Sequence, residues 1–153
     1  MKLYLKNPVV LMLFCLMTGM FITVSFIETP LKFQVHGITL STALGLGKIM
    51  FEISTKIQAI FLILILIFMT ISHSNYKKLD FILLFILFFI LALEQFWMLP
   101  VLDARADLLS SGKPLPSTPL HDYFIYAETV KAITLILTVI FQFKTPPNEN
   151  RPY

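Results

Sequence analysis

Four long apolar runs, separated by short polar stretches, organise this chain. The first, Val9 to Ile27, contains no charged residue and is preceded by Asn7 and Pro8, an N-cap residue followed by proline at the first helical position. The second is continuous only from Ala59 to Ile71, which is too short to cross a bilayer alone. It therefore extends backwards through Ile53, and a helix starting near Ser41 would carry Lys48, Glu52 and Lys56 with it. The third runs from about Phe81 to Leu102, with a clean apolar first half followed by Glu94, Gln95, Trp97 and Pro100. The fourth, about Tyr123 to Phe143, contains Glu128 and Lys131 and is opened by Thr118 and Pro119. A bilayer core of about 30 Å takes roughly 20 helical residues at 1.5 Å each, so the pattern predicts four membrane-spanning helices over 9–27, 53–72, 81–102 and 123–143. The fold class expected is all-α, a four-helix integral membrane bundle forming a single domain over 1–144.

Composition strengthens this reading. Of the 153 residues, 57% are hydrophobic and 14% charged, and the mean hydropathy is +0.81. A soluble domain carries about one quarter charged residues, and a disordered chain would not hold 15 phenylalanines. Lys2 and Lys6 resemble the start of a signal peptide, but the run after them exceeds the roughly 7 to 15 apolar residues of such a segment and no Ala-x-Ala-like site follows, so it is expected to be retained. The net charge of +3 comes without a basic patch interleaved with exposed aromatics, which excludes nucleic acid as the expected partner. Charge reads instead as topology. Lys2, Lys6, Lys77, Lys78, Lys144 and Arg151, against Asp80 and Glu149, leave +4 on the side of the termini, and the other side balances at −1. Both termini are therefore expected in the cytoplasm and the chain in the inner (plasma) membrane, with lipid as its surroundings. Cys15 is the sole cysteine, so no intrachain disulfide, paired-thiol redox site or cysteine zinc site is available.

The connections differ in kind. The turn His73 to Lys78 is short enough to make the second and third spans an antiparallel hairpin, and residues 28–47 mix types in a way compatible with an amphipathic surface helix. Residues 110–119 are rich in serine, glycine and proline, and the tail 145–153, with three prolines, is expected to be disordered.

Almost every unusual residue is expected at one membrane depth, the outer ends of three helices. Lys48, Glu52 and Lys56 are spaced i, i+4, i+8, a stripe on one helix face with Ser41 and Gly45 above it. Glu128 and Lys131 are i, i+3 neighbours with His121 two turns earlier, and Glu94 and Arg105, 11 residues apart, share a face if the helix continues through Pro100. These eight form a candidate polar cluster. A charge at mid-bilayer costs about 2.5 to 3.5 kcal/mol on insertion scales, so such residues turn inward and find partners. Two readings stay open at this point: interfacial helix ends with snorkelling lysines, or a polar cavity open to the outer side that binds an ion, a proton or a small polar molecule.

Other motifs carry less. His36, His73 and His121 have no ligand spacing, so no metal or other cofactor is expected. Ser110 or Ser111 with His121 and Asp122 supplies the residue types of a nucleophilic triad without its geometry. Gly45, Gly47 and Lys48 lack the phosphate-loop pattern, and Phe96, Trp97, Tyr123 and Tyr126 read as an aromatic belt. Pro100 to Arg105, a polar outer loop and then His121 together resemble the small four-helix bacterial membrane proteins of unknown function. That resemblance implies a four-helix fold and no established reaction. The functional expectation is a binding or permeation protein, acting as two or more copies if it transports. The alternatives are a non-catalytic accessory or assembly subunit of a membrane complex, and an enzyme using His121 with Glu128.

Overall fold

In a computed structural model describing residues 4–113 and 118–144, four helices pack into one bundle: α1 (Pro8–Lys32), α2 (Leu40–Ile71), α3 (Lys78–Ser110) and α4 (Leu120–Ile140). Each is long and apolar enough to cross a membrane. The expectations placed on the tail 145–153 and on Pro114 and Pro116 of the outer loop lie outside the described residues.

The helix ends follow local chemistry. Asn7 caps α1, its side-chain oxygen accepting from Val9 N at 2.9 Å and Val10 N at 3.3 Å. Thr39 caps α2 in the same way, accepting from Thr42 N at 3.2 Å. At α3 the Asp80 carboxylate reaches back to Lys77 N at 2.7 Å, where it also meets the positive end of the helix dipole. Beyond Ser110 the chain turns at Gly112, whose φ of +74° is open to glycine at little steric cost.

Two of the helices run past prolines, and both do so by the same device. A π-helical turn at Thr23–Glu28 precedes Pro30 in α1, and another at Glu94–Met98 precedes Pro100 in α3. The wider turn, with Leu99 N closing on Glu94 O, lets the helix absorb a ring that would collide with a tighter one. The inserted residue also breaks the periodicity that would have set Glu94 and Arg105 on one face. Residues 28–47 accordingly form no separate surface helix. They complete α1, turn through 33–39 and begin α2.

The helices form a ring in which α1 packs on α2 and α4, and α3 packs on α2 and α4. Phe14, Met17, Phe21, Leu62, Ile65, Leu87 and Leu135 fill its centre. The outward faces are equally apolar: Ile60, Ile63, Phe85, Phe89 and Ile133 are exposed, Phe85 by 70%. Such a surface suits lipid rather than water, and in lipid the helices are held together by packing and internal polar contacts. At 1.5 Å per residue, the 32 residues of α2 and 33 of α3 measure about 48 and 50 Å, against a bilayer core of about 30 Å. The 21-residue α4 matches that core, so α2 and α3 overhang it. The two-residue strands β1 (Tyr4–Leu5) and β2 (Phe143–Lys144) pair antiparallel and join the two described chain ends beside the His73–Asn75 turn.

Candidate functional site

At the end of the bundle away from the chain ends, the helices part around a cleft of about 590 Å³. Its walls come from the last turns of α1, the first three turns of α2, the extension of α3 beyond Leu99 and the upper half of α4. Most lining side chains are apolar, including Phe26, Leu44, Leu102 and Phe124. The charged ones are few: Lys32, Lys48, Asp103, Arg105 and Glu128, together with His121.

Beneath the cleft lies a buried triad. Lys131 Nζ donates to Glu94 Oε2 and stands 2.7 Å from Glu128 Oε1. Glu94 and Lys131 are sealed from the surface, and Glu128 borders the cleft. The Phe21 ring lies 4.7 Å from the ammonium, a cation–π contact that closes its remaining side. Two carboxylates thus share one ammonium, and Glu94 Oε1 and Glu128 Oε2 are buried with no hydrogen-bond partner. The π-helical turn begins at Glu94 itself. Within α4 the pair sits near the helix midpoint rather than at its outer end, so the triad is at membrane depth.

The other candidates divide. Lys48 bridges α2 to α3 through Asp107, at 2.8 and 2.9 Å. Arg105 and His121 line the cleft from α3 and α4. Glu52 and Lys56 pair with each other at 2.6 Å, with side chains 60% and 64% exposed on the outward face. Glu52 borders a smaller pocket of about 270 Å³ with Gln95 and Asp103, and Lys56 takes no part in either pocket. The Lys48, Glu52, Lys56 stripe therefore does not converge on one point, because a spacing of four drifts around the helix. Among the described residues no group of three or more histidine, cysteine, aspartate and glutamate side chains is placed to hold a metal ion.

Comparison with family models, with curated proteins and with solved structures finds no match for this chain.

Glu28 and Lys32, in a stretch whose mixed composition reads as a connection, belong to helix α1. They are an i, i+4 pair in the last turns of α1, with Lys32 Nζ 3.5 Å from Glu28 Oε2. Pro30 between them masked a helical spacing that would have been the signal. Lys6 and Asp80, which in sequence read only as topological charges, also meet. Their side chains form a buried pair, Lys6 Nζ lying 2.7 Å from both Asp80 oxygens and 5.6 Å from the Tyr76 ring. Around this pair Lys6 N donates to Gln142 O, Asn75 Nδ2 to Lys6 O and Tyr76 Oη to Gln142 Oε1. Burial, and then the charge of Asp80, push the Tyr76 hydroxyl up to about 12, which keeps it a donor.

Proposed function

We propose that the protein is a multi-pass inner-membrane binding or permeation protein whose Glu94–Lys131–Glu128 triad takes up a proton or cation through the cleft. One observation carries this reading: two buried carboxylates share a single ammonium, and one oxygen of each has no partner. The formal balance of the triad is one negative charge, held at membrane depth where charge is expensive. A proton or a small cation brings it to neutrality and occupies those oxygens. Glu128 is the member that borders the cleft, so it is the entry point, and Glu94 is the inner acceptor. The termini face the cytoplasm in this reading, on the side where short-loop lysines accumulate, and the cleft opens outward. Of the residues behind the likeness to small four-helix bacterial membrane proteins, Leu102, Asp103, Arg105 and His121 line this cleft. The test is ion flux into liposomes holding the protein, with a pH-sensitive dye inside. Flux that falls in Glu128→Gln supports the reading, and absence of proton or cation movement over a broad ion panel removes it.

A second reading, an accessory subunit of a membrane complex, is favoured by Glu52 and Lys56. These charges stand exposed on α2, whose Ile49, Ile53, Ile57 and Ile60 are exposed as well. Extraction in mild detergent then yields a stoichiometric partner lost on replacing both charges. Recovery of the chain alone in every detergent excludes it.

A further inference from the structure

The cleft has a second charged wall that proton uptake leaves unused. The π-helical turn at Thr23–Glu28 carries α1 on to Lys32, whose side chain crosses to α2 and is only 5% exposed. Its landing point is Gly47. A Cβ there would sit 2.8 Å from Lys32 Nζ and 3.4 Å from Cε, so a larger residue would displace the ammonium. Phe33 and Phe51 hold it from either side, with ring centres at 5.7 and 5.6 Å. An ammonium offers three donors, yet Lys32 Nζ has no hydrogen-bond acceptor, and Glu28 Oε1 beside it is unpartnered too. The ion pair of Lys32 with Glu28 Oε2, at 3.5 Å, is too long for a good hydrogen bond, so the ammonium keeps donors that a group bearing oxygen atoms would satisfy.

Of the other charges in the cleft, Lys48 is committed to Asp107 and Glu128 to Lys131, and Asp103 stands with Lys48 where the cleft meets the smaller pocket. Arg105 and His121 line the same cleft, and most of the remaining wall is hydrocarbon, Phe26, Leu102 and Ile125 among it, with Ser25, Thr29 and Asp103 as its polar members. Its volume of about 590 Å³ lies within the roughly 300 to 1,000 Å³ of small-molecule sites. A wholly polar solute would leave these apolar walls unfilled, and a neutral hydrocarbon would leave Lys32 without an acceptor.

We propose that the cleft binds a single-chain amphiphile with an anionic oxygen head, carboxylate or phosphate, set against Lys32 and flanked by Arg105 and His121, its tail along the apolar wall. This shares with the preceding reading only the assumption that the cleft is a binding site. Proton uptake by the triad is not required for it.

Equilibrium binding of radiolabelled oleate and of oleoyl lysophosphatidate to the purified full chain in detergent tests the proposal, with monoolein and inorganic phosphate as competitors. Saturable binding of at least one of the two anions, with neither competitor displacing it, is the expected result. The preferred head, carboxylate or phosphate, identifies the source. The double variant Glu28→Gln/Lys32→Met removes both charges together, so neither is orphaned and the fold is spared. It should bind about tenfold more weakly or worse, the loss of a charge-assisted hydrogen bond. Lys78→Gln, at the far end of the bundle, should bind as the wild type does. Absence of saturable binding, unchanged affinity in the double variant, or displacement by inorganic phosphate or monoolein overturns the proposal. Liposome proton flux is read separately, so a chain that moves protons but binds neither amphiphile, or the converse, shows which of the two readings has failed.

Discussion

Each end of the bundle buries a lysine against carboxylate, and the two arrangements are completed to different degrees. At the chain-end side, Asp80 accepts from Lys6 with both oxygens and from Lys77 N, and around it Tyr76 donates to Gln142 Oε1 and Asn75 to Lys6 O. None of these side chains is left with a buried atom lacking a partner. At the cleft side, Glu94, Glu128, Glu28 and Lys32 each have one. A polar network of the first kind stabilises and orients the elements it joins. One of the second kind is held in place by its surroundings at the expense of its own satisfaction, as binding sites are. Burial alone would not separate them, since both are buried. The orphaned atoms do.

The contrast can be broken most forcefully at Lys131. Lys131→Met leaves two buried carboxylates facing each other, and thermal unfolding in detergent should show a loss of about 3 to 5 kcal/mol or more. Asp80→Asn comes next, because it orphans one ammonium inside an otherwise complete network. A loss of about 3 kcal/mol is expected by the same measurement, and recovery when Lys6→Met is added would show that the unpaired charge was the cause. Glu128→Gln sharpens the comparison from the other side. It leaves one carboxylate for one ammonium, so stability should stay within about 1 kcal/mol of the wild type or rise above it. A drop as large as that of Asp80→Asn would mean that the cleft-side triad is as structural as its counterpart.

Two smaller effects concern the edges of the comparison. Tyr76 has a hydroxyl pKa raised above its unfolded value of about 10, so its contribution to stability is complete below that pH and is lost as pH rises towards about 12. Ultraviolet absorbance titration should find one tyrosine that ionises late, and its absence in Tyr76→Phe would assign it. The smallest effect is expected at the exposed pair. Glu52→Gln should leave the unfolding midpoint where it is, because a solvated i, i+4 pair is screened; a clear shift would instead point to a partner covering that face.

How much of this was readable from residues alone depended on whether the information was local. The four apolar runs are local, and they mark the four helices that pack here. Helix ends were harder, because a charged or proline-containing stretch can remain helical once it passes the lipid: α2 begins at Leu40, well before its apolar window, and α3 continues through Pro100 to Ser110. The pairing of Glu128 with Lys131 is one helical turn and was legible. That Glu94 completes the triad depends on how α3 packs against α4, which no spacing encodes. Lys32 was hidden for a different reason. Its partner surface is a glycine on another helix, and an empty place leaves no mark in a sequence.

The strand pairing of Tyr4 with Lys144 has a consequence in time. The first described residues of the chain are bonded to the last, through β1, β2 and the Lys6 N to Gln142 O hydrogen bond. During synthesis the leading segment must wait, its partner absent, until α4 and the strand after it have left the ribosome. A product terminated before Gln142 cannot fasten, so its leading strand stays an open edge that proteases can find. The fastening thus distinguishes a chain that reaches Lys144 from one that stops short of it, and pulse-labelled products terminated before Gln142 should be cleared faster than those that extend past Lys144.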